Sequence, residues 1–352
     1  MLRIEFLPAA HGDCILVSYG ARKPEHWVLI DGGPSHTYDI LRARVRDAGI
    51  ERFEVVVVSH IDADHIDGVI RLIQDEEVPV EIGDVWFNGR HHLDEAVDRK
   101  ARDGVTQLGG VEGEILGVLL ADMNLPWNAA FGGGPIIVDD DPRSALPCVE
   151  LAGGLKLTVV SPYVRELDRL RKVWDKAVRA AGFEPGDREK ALALLHRRTR
   201  LQAPPAQLGG DDSSEANGSS IAFLVEYGDA RVLLSGDAFH SVISRSLDRL
   251  RTERKTRDGI ELDVWKLAHH GSRNNTDAAM LRRARCRNFV VSTNGDRFRH
   301  PDREAIDMVA TLPDAELWFN YRSATTEPFE TATRWAGRTH YPDPGSLLTF
   351  EF

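Results

Sequence analysis

The stretch that most constrains this chain is Val55-Val56-Val57-Val58-Ser59-His60-Ile61-Asp62-Ala63-Asp64-His65-Ile66-Asp67-Gly68. Four valines in succession predict a short strand buried on both faces, because β-branched side chains suit a pleated sheet that is covered on each side. That strand runs directly into His60, Asp62, Asp64 and His65. Residues two apart in an extended segment point the same way, so His60 and Asp62 can grip one ion. Asp64 and His65 fall where the chain turns into a helix expected over 66–74, and they can face a second ion close by. Imidazole nitrogen and carboxylate oxygen suit zinc, manganese or iron, and a pair of such ions supports metal-assisted hydrolysis. The alternative is a solvated acidic loop, but such loops seldom place two His and two Asp directly after a buried strand.

The motif resembles the His-x-His-x-Asp-His signature of the metallo-β-lactamase fold superfamily, with Asp62 in place of the second His. Its Ser-His-x-Asp-x-Asp-His form is most similar to the hydrolase domain of ComEC-type DNA-uptake proteins and their free-standing relatives. The resemblance implies an α/β fold, a metallo-β-lactamase-like αββα sandwich, and two divalent ions.

The rest of the chain fits that expectation in order. Strands expected at 4–7 and 14–19 flank the polar turn Ala9-Ala10-His11-Gly12-Asp13, and a third at 27–30 ends in Asp31-Gly32-Gly33-Pro34. Asp31, at a strand end, can hydrogen-bond a metal-ligating His or simply form an Asx turn. His11 is a lone histidine in a turn and stays outside the metal set. A helix over 38–48 and a strand over 85–87 complete a strand–helix–strand alternation. Residues 89–214 then read as a mostly helical insertion, placed where it could wall a cleft. Its helices are expected at 93–102, 112–123, 165–181 and 187–201, with strands at 136–138 and 155–160 and a Pro/Gly-rich loop from 203. The chain is thus expected to be one domain, with its core at 1–88 and 215–352.

After the insertion, a hairpin of 221–227 and 231–234 ends in Ser235-Gly236-Asp237, and a strand over 263–268 runs into His269-His270-Gly271-Ser272. Further strands are expected at 289–292, 316–319 and 346–352. Asn217-Gly218-Ser219-Ser220, the Gly-Asp pair, the His-His-Gly-Ser run and His300-Pro301 are all similar to the ComEC-type pattern. Asn217 stands where the superfamily usually has a His. The resemblance implies one ion on His60 and Asp62, with Asn217 a further donor, and a second on Asp64, His65 and one of His269 and His270. Asp237 would bridge the two. If the His pair stays extended, only one of its members can be a ligand, and His269, first off the strand, is the expected one. Asp64, His270 and Ser272 are the candidates for catalytic contacts. So oxygen-rich a donor set shifts the preference from zinc towards manganese and argues against β-lactam hydrolysis.

Composition bounds the function. A net charge of −11 excludes the whole surface as a non-specific nucleic-acid binder. Locally, residues 165–200 hold eleven Lys/Arg against six Asp/Glu, densest at Arg197, Arg198 and Arg200, which is either a solvated helix face or a polyanion-binding surface. No apolar run approaches the roughly 18 residues that span a membrane, and residues 1–7 alternate like a strand rather than a signal peptide. Cys14, Cys148 and Cys286 form no CxxC pair, so a reducing, cytoplasmic compartment is expected. The expected function is a dinuclear hydrolase, in which a water held between two ions loses a proton and attacks phosphorus or a carbonyl. Phosphodiesters are the substrates the resemblance implies. Another ester, lactone or amide, or a non-enzymatic binding role, stays open.

Overall fold

The computed structural model describes residues 1–97, 110–201, 214–256 and 258–352. In chain order its strands are β1 (Leu2–Phe6), β2 (Ile15–Tyr19), β3 (His26–Ile30), β4 (Arg52–Phe53), β5 (Val55–Val57), β6 (Glu81–Ile82), β7 (Val85–Trp86), β8 (Cys148–Glu150), β9 (Lys156–Ser161), β10 (Ala222–Tyr227), β11 (Ala230–Leu234), β12 (Ile260–Lys266), β13 (Ala284–Val291), β14 (Glu316–Phe319), β15 (Thr339–His340) and β16 (Leu348–Glu351). One sheet has the order β16-β1-β2-β3-β5-β7, and the other β15-β14-β13-β12-β11-β10-β9-β8. The small pair β4-β6 stands apart.

The two sheets face each other over a core built from alternate residues of their strands. Ile4, Val17, Val28 and Val57 come from the first sheet, and Phe223, Val232, Leu234, Val264 and Val290 from the second. A second core lies on the outer face of the first sheet, where Leu16, Leu29, Val56 and Val58 meet helices. Those helices are α1 (Tyr38–Ala48), α2 (Ala63–Gln74), α3 (Arg90–Val97), α4 (Gly110–Asp122) and α5 (Val164–Ala180). Val55, Val56 and Val57 therefore have apolar neighbours on both sides, as their sequence requires, and each contributes about 1.5–3 kcal/mol of burial. The fold is the expected αββα sandwich, with α8 (His240–Glu253) over the second sheet after α6 (Arg188–Leu201) and α7 (Ser214–Gly218).

The region read as an insertion is more closely knitted to the core than its sequence suggests. Its β9 pairs antiparallel with β10, so residues 148–161 extend the second sheet. The strand expected at 136–138 is reduced to a single bridge between Val138 and Tyr163. The Pro/Gly loop, the end of the helix expected at 93–102, and the side chains of Arg197, Arg198 and Arg200 lie outside the described residues.

Strand direction decides where chemistry can collect. β3, β5 and β7 are parallel neighbours, as are β11, β12, β13 and β14. The carboxyl ends of both groups open at one edge of the sandwich, the usual place for a binding site in a parallel sheet. Asp31 follows β3, His60 follows β5, Asp237 follows β11, and His269 and His270 follow β12.

Candidate metal centre

Asp237 lies at the middle of this edge. Its Oδ2 is 3.9 Å from Nε2 of His60, 3.6 Å from Nε2 of His65 and 3.7 Å from Nε2 of His270. Asp62 Oδ2 stands 3.5 Å from His60 Nε2, and Asp64 Oδ2 is 4.0 Å from His65 Nε2. Ligands about 2.0–2.2 Å from a common ion lie some 3–4 Å apart, so these spacings suit shared coordination. The three Nε2 atoms are buried and lack hydrogen-bond partners. Orphaned nitrogens are costly unless something takes their lone pairs, and a divalent cation does so. The donor set therefore fits the metal that the fold implies.

The other ring nitrogen of each histidine is tied down. His65 Nδ1 is 2.7 Å from Asp31 Oδ2, and His270 Nδ1 is 2.6 Å from the Ser292 carbonyl. His60 Nδ1 is 2.9 Å from Ser59 Oγ, whose own proton goes to Asp31 Oδ2 at 2.6 Å. Ser59 Oγ must then accept from His60, so Asp31 sets the tautomer of both His60 and His65 and leaves each Nε2 free. Asp31 is held for this task. It takes a left-handed φ of 57°, and Gly32 beyond it donates to the His65 carbonyl at 2.8 Å. Gly32 crosses α2 at Gly68 so closely that a Cβ on Gly68 would lie 1.9 Å from the Gly32 carbonyl oxygen. Only glycine permits that approach.

Charge follows from these contacts. Burial opposes the Asp31 charge, but His65, His60 and Ser59 outweigh it and hold its carboxyl below the usual range. Burial likewise opposes charge on Asp237, yet His270, His65, His269 and Lys266 keep it well below the usual carboxylate value. His65, also buried, is raised well above the ordinary imidazole value by Asp31 and Asp237. His270 has only a carbonyl on Nδ1, and burial lowers it to about 3, so it is neutral and ready to ligate. Asp64 is raised, chiefly by burial.

The His pair departs from expectation for a backbone reason. The segment is not extended there: His269 and His270 both take left-handed φ values, 49° and 54°. That twist sends His270 towards Asp237. Nδ1 of His269 faces Asn275 Oδ1 at 3.1 Å and Asn217 Nδ2 at 3.4 Å. Ser272 is turned into its own loop, where its Oγ accepts from the Asn274 amide. The structure thus gathers His60, Asp62, Asp64, His65, Asp237 and His270, with Asn217 one residue away through His269.

Two buried residues of the centre have no part in the sequence reading. Asp13 has a carboxylate oxygen within 4.8 Å of the donor atoms of His65, Asp237 and His270. Lys266 is wholly buried, pairs with Asp13, donates to the Gly236 carbonyl at 3.1 Å and lies 3.7 Å from Asp237 Oδ1. Burial works against its charge, but Asp13 and Asp237 raise its pKa. The available signal was Lys266 itself, a cation inside the otherwise apolar run Val264-Trp265-Lys266-Leu267-Ala268, which requires a buried carboxylate partner. His11, left out of the metal set, stands 4.0 Å from Asp64 Oδ2 at the rim.

Residues 8–142 match the family model of the Metallo-beta-lactamase superfamily, in keeping with the sandwich and the position of its centre. No curated protein matches this sequence. Among solved structures, the chain is similar to a diphosphatase from the PhnP family at 11% identity and a TM-score of 0.44, covering 99% of this chain and 97% of that one. It is also similar to a metal-dependent hydrolase from Parabacteroides distasonis, at 11% identity and a TM-score of 0.39, covering 90% of this chain and 92% of that one. A long-form RNase Z from yeast shares 10% identity at a TM-score of 0.36, covering 100% of this chain and 47% of that one.

Proposed function

We propose that this protein is a dinuclear metal-dependent phosphodiesterase. The observation that carries the reading is the set of three buried, orphaned Nε2 atoms around Asp237 Oδ2, each fixed through its opposite nitrogen. His60, Asp62 and Asp237 would hold one ion. His65, Asp237 and His270 would hold the other, with Asp64 and Asp13 supplying further oxygens. Two divalent ions there would supply a water acidified to serve as nucleophile and a Lewis acid for the phosphoryl oxygens. The carboxylates favour manganese over zinc. The phosphodiester preference is supported by the resemblance of the Ser59–His65, Asn217–Ser220, Gly236-Asp237 and His269–Ser272 motifs to ComEC-type domains.

The protein's own groups have separable tasks. Asp31 and Ser59 hold His60 and His65 in place, and Ser292 does so for His270. His269, outside the Nε2 cluster, faces the rim beside Phe298 and His300, where it can contact substrate or donate a proton to the leaving group. The free thiols at Cys14, Cys148 and Cys286 support a reducing, cytoplasmic setting. No helix among the described residues is long and apolar enough to cross a membrane. Nucleic-acid binding through the basic stretch has weaker support, since Arg171, Lys172, Arg179, Arg188 and Lys190 are engaged with Asp94, Asp168, Glu184, Asp122 and Asp187.

The reading is tested by metal analysis of the purified protein and by turnover of bis-p-nitrophenyl phosphate against carboxyl esters. About two ions per chain and diester turnover are expected, and a metal-free, inactive protein would overturn the proposal. Two variants refine it. His270→Ala should lose metal while His269→Ala keeps it, and the reverse result in the same analysis would restore His269 as the ligand. Asp31→Asn keeps shape but points an amide N–H at His65 Nδ1. It should weaken metal affinity by about 10–100-fold in a chelator competition, and an unchanged affinity would show that Asp31 does not orient the ligands.

A further inference from the structure

The rim beside Asp64 is built from two segments far apart in sequence. The loop after β13 is braced on the β1–β2 turn, where the Asn294 amide donates to the Ala10 carbonyl at 2.8 Å, and the turn is itself held by Tyr321 after β14, whose Oη accepts from the Ala10 amide at 2.8 Å. Within the loop, Gly295 donates to Thr293 Oγ1, Asp296 donates to Asn294 Oδ1, and Arg299 donates to the Gly295 carbonyl. Ala10 and Arg299 both sit at left-handed φ, 54° and 60°, a strain that persists only where surrounding contacts enforce it. This bracing holds Arg297 beside His11, and Phe298 beside His11 and His269.

Arg297 Nη1 lies 3.5 Å from His11 Nε2, and His11 Nε2 lies 4.0 Å from Asp64 Oδ2. The guanidinium sits over the Phe298 ring at 5.0 Å, and that ring is 6.0 Å from His11 and 6.4 Å from His269. Elsewhere arginines lie in two-point contact with carboxylates, as Arg44 does with Glu5, Arg90 with Asp175 and Arg254 with Glu226. Arg297 forms no such pair among the described residues and converges instead on an imidazole. The guanidinium only donates, so His11 Nε2 accepts in this contact, which leaves the other N–H groups of the planar fork for an incoming oxyanion such as phosphate.

We propose that Arg297 and His11, backed by Phe298, form a subsite for a second phosphate of the substrate, beside the one that is cleaved. Asp64 joins this subsite to the centre. The preferred substrate class is then a phosphodiester that carries a neighbouring phosphate, whether along a nucleic-acid strand or in a small nucleotide. The inference deepens the phosphodiesterase reading, but its binding test does not depend on turnover.

The experiment compares thymidine 3′,5′-bisphosphate with thymidine 5′-monophosphate, titrated calorimetrically into the metal-loaded protein. Wild type should bind the bisphosphate about tenfold more tightly, and Arg297→Gln should bring that ratio near one. Arg273→Gln, which alters an exposed arginine paired with Glu304, should keep the wild-type ratio. A wild type that does not discriminate, or an Arg297→Gln protein that still does, overturns the subsite. Loss of metal from Arg297→Gln overturns it too, since the residue would then act through the centre. A kinetic arm uses the p-nitrophenyl ester of thymidine 5′-phosphate with and without a 3′-phosphate. Absence of turnover of both by wild type would sink the phosphodiesterase reading, while the binding ratio still decides the subsite.

Discussion

Asp237→Ala is expected to lose both bound metal and activity, with turnover of a diester falling by more than about 10²-fold. The expectation follows from the position of one oxygen. Oδ2 is the atom that all three buried Nε2 groups share, at 3.6–3.9 Å, so its loss opens both halves of the centre together. The variant also deprives Lys266 of one of its two carboxylates. Substitution of Asp62, proposed as a terminal ligand, should be milder, since it touches only the His60 side. Metal analysis of the two variants side by side gives the check. Full occupancy in Asp237→Ala would remove Asp237 from the centre.

The second large effect is on stability. Lys266→Met should destabilise the metal-free protein by about 3–5 kcal/mol, because it leaves Asp13 and Asp237 as buried carboxylates without their cation. Methionine fills a similar volume, so the loss isolates charge from packing. The double variant Lys266→Met/Asp13→Asn removes one of the stranded charges and should recover part of that loss in urea denaturation. Equal stability of wild type and Lys266→Met would mean that Asp13 takes up a proton in place of its ion pair. It would also mean that the lysine contributes nothing net.

The strands were legible because their signals are local, whereas the sandwich they build was implied by the resemblance of the motifs. Val55–Val57 announces a doubly covered strand, Gly228-Asp229 closes the hairpin of β10 and β11, and chemistry-bearing residues sit directly after strands. The shared edge of those strand ends made His60, Asp62, Asp64, His65 and Asp237 readable as one group. The choice between His269 and His270 was not readable in this way. It turns on two successive left-handed residues, a conformation that costs energy for any side chain but is imposed here by packing at the end of β12. Asp13 and Lys266 were hidden for a related reason. Their pairing joins positions 253 residues apart, and only the stacking of one sheet on the other brings them together. The edge strand β8 had no such signal, and β9, expected as a strand at 155–160, gave no sign that it pairs with β10 in the second sheet.

The centre draws its residues from both layers. His60 and His65 follow the first sheet, while Asp237 and His270 follow the second. An occupied centre would therefore be a clasp across the open mouth of the sandwich. Folding and metal loading then become a single linked equilibrium. At a free metal concentration 1,000 times its dissociation constant, each ion bound only by the folded chain adds about 4 kcal/mol. Stripping the metal would remove that contribution and leave the two layers joined at the mouth by the Asp13–Lys266 pair and by the hydrogen bond from the Ile221 amide to the Ser59 carbonyl.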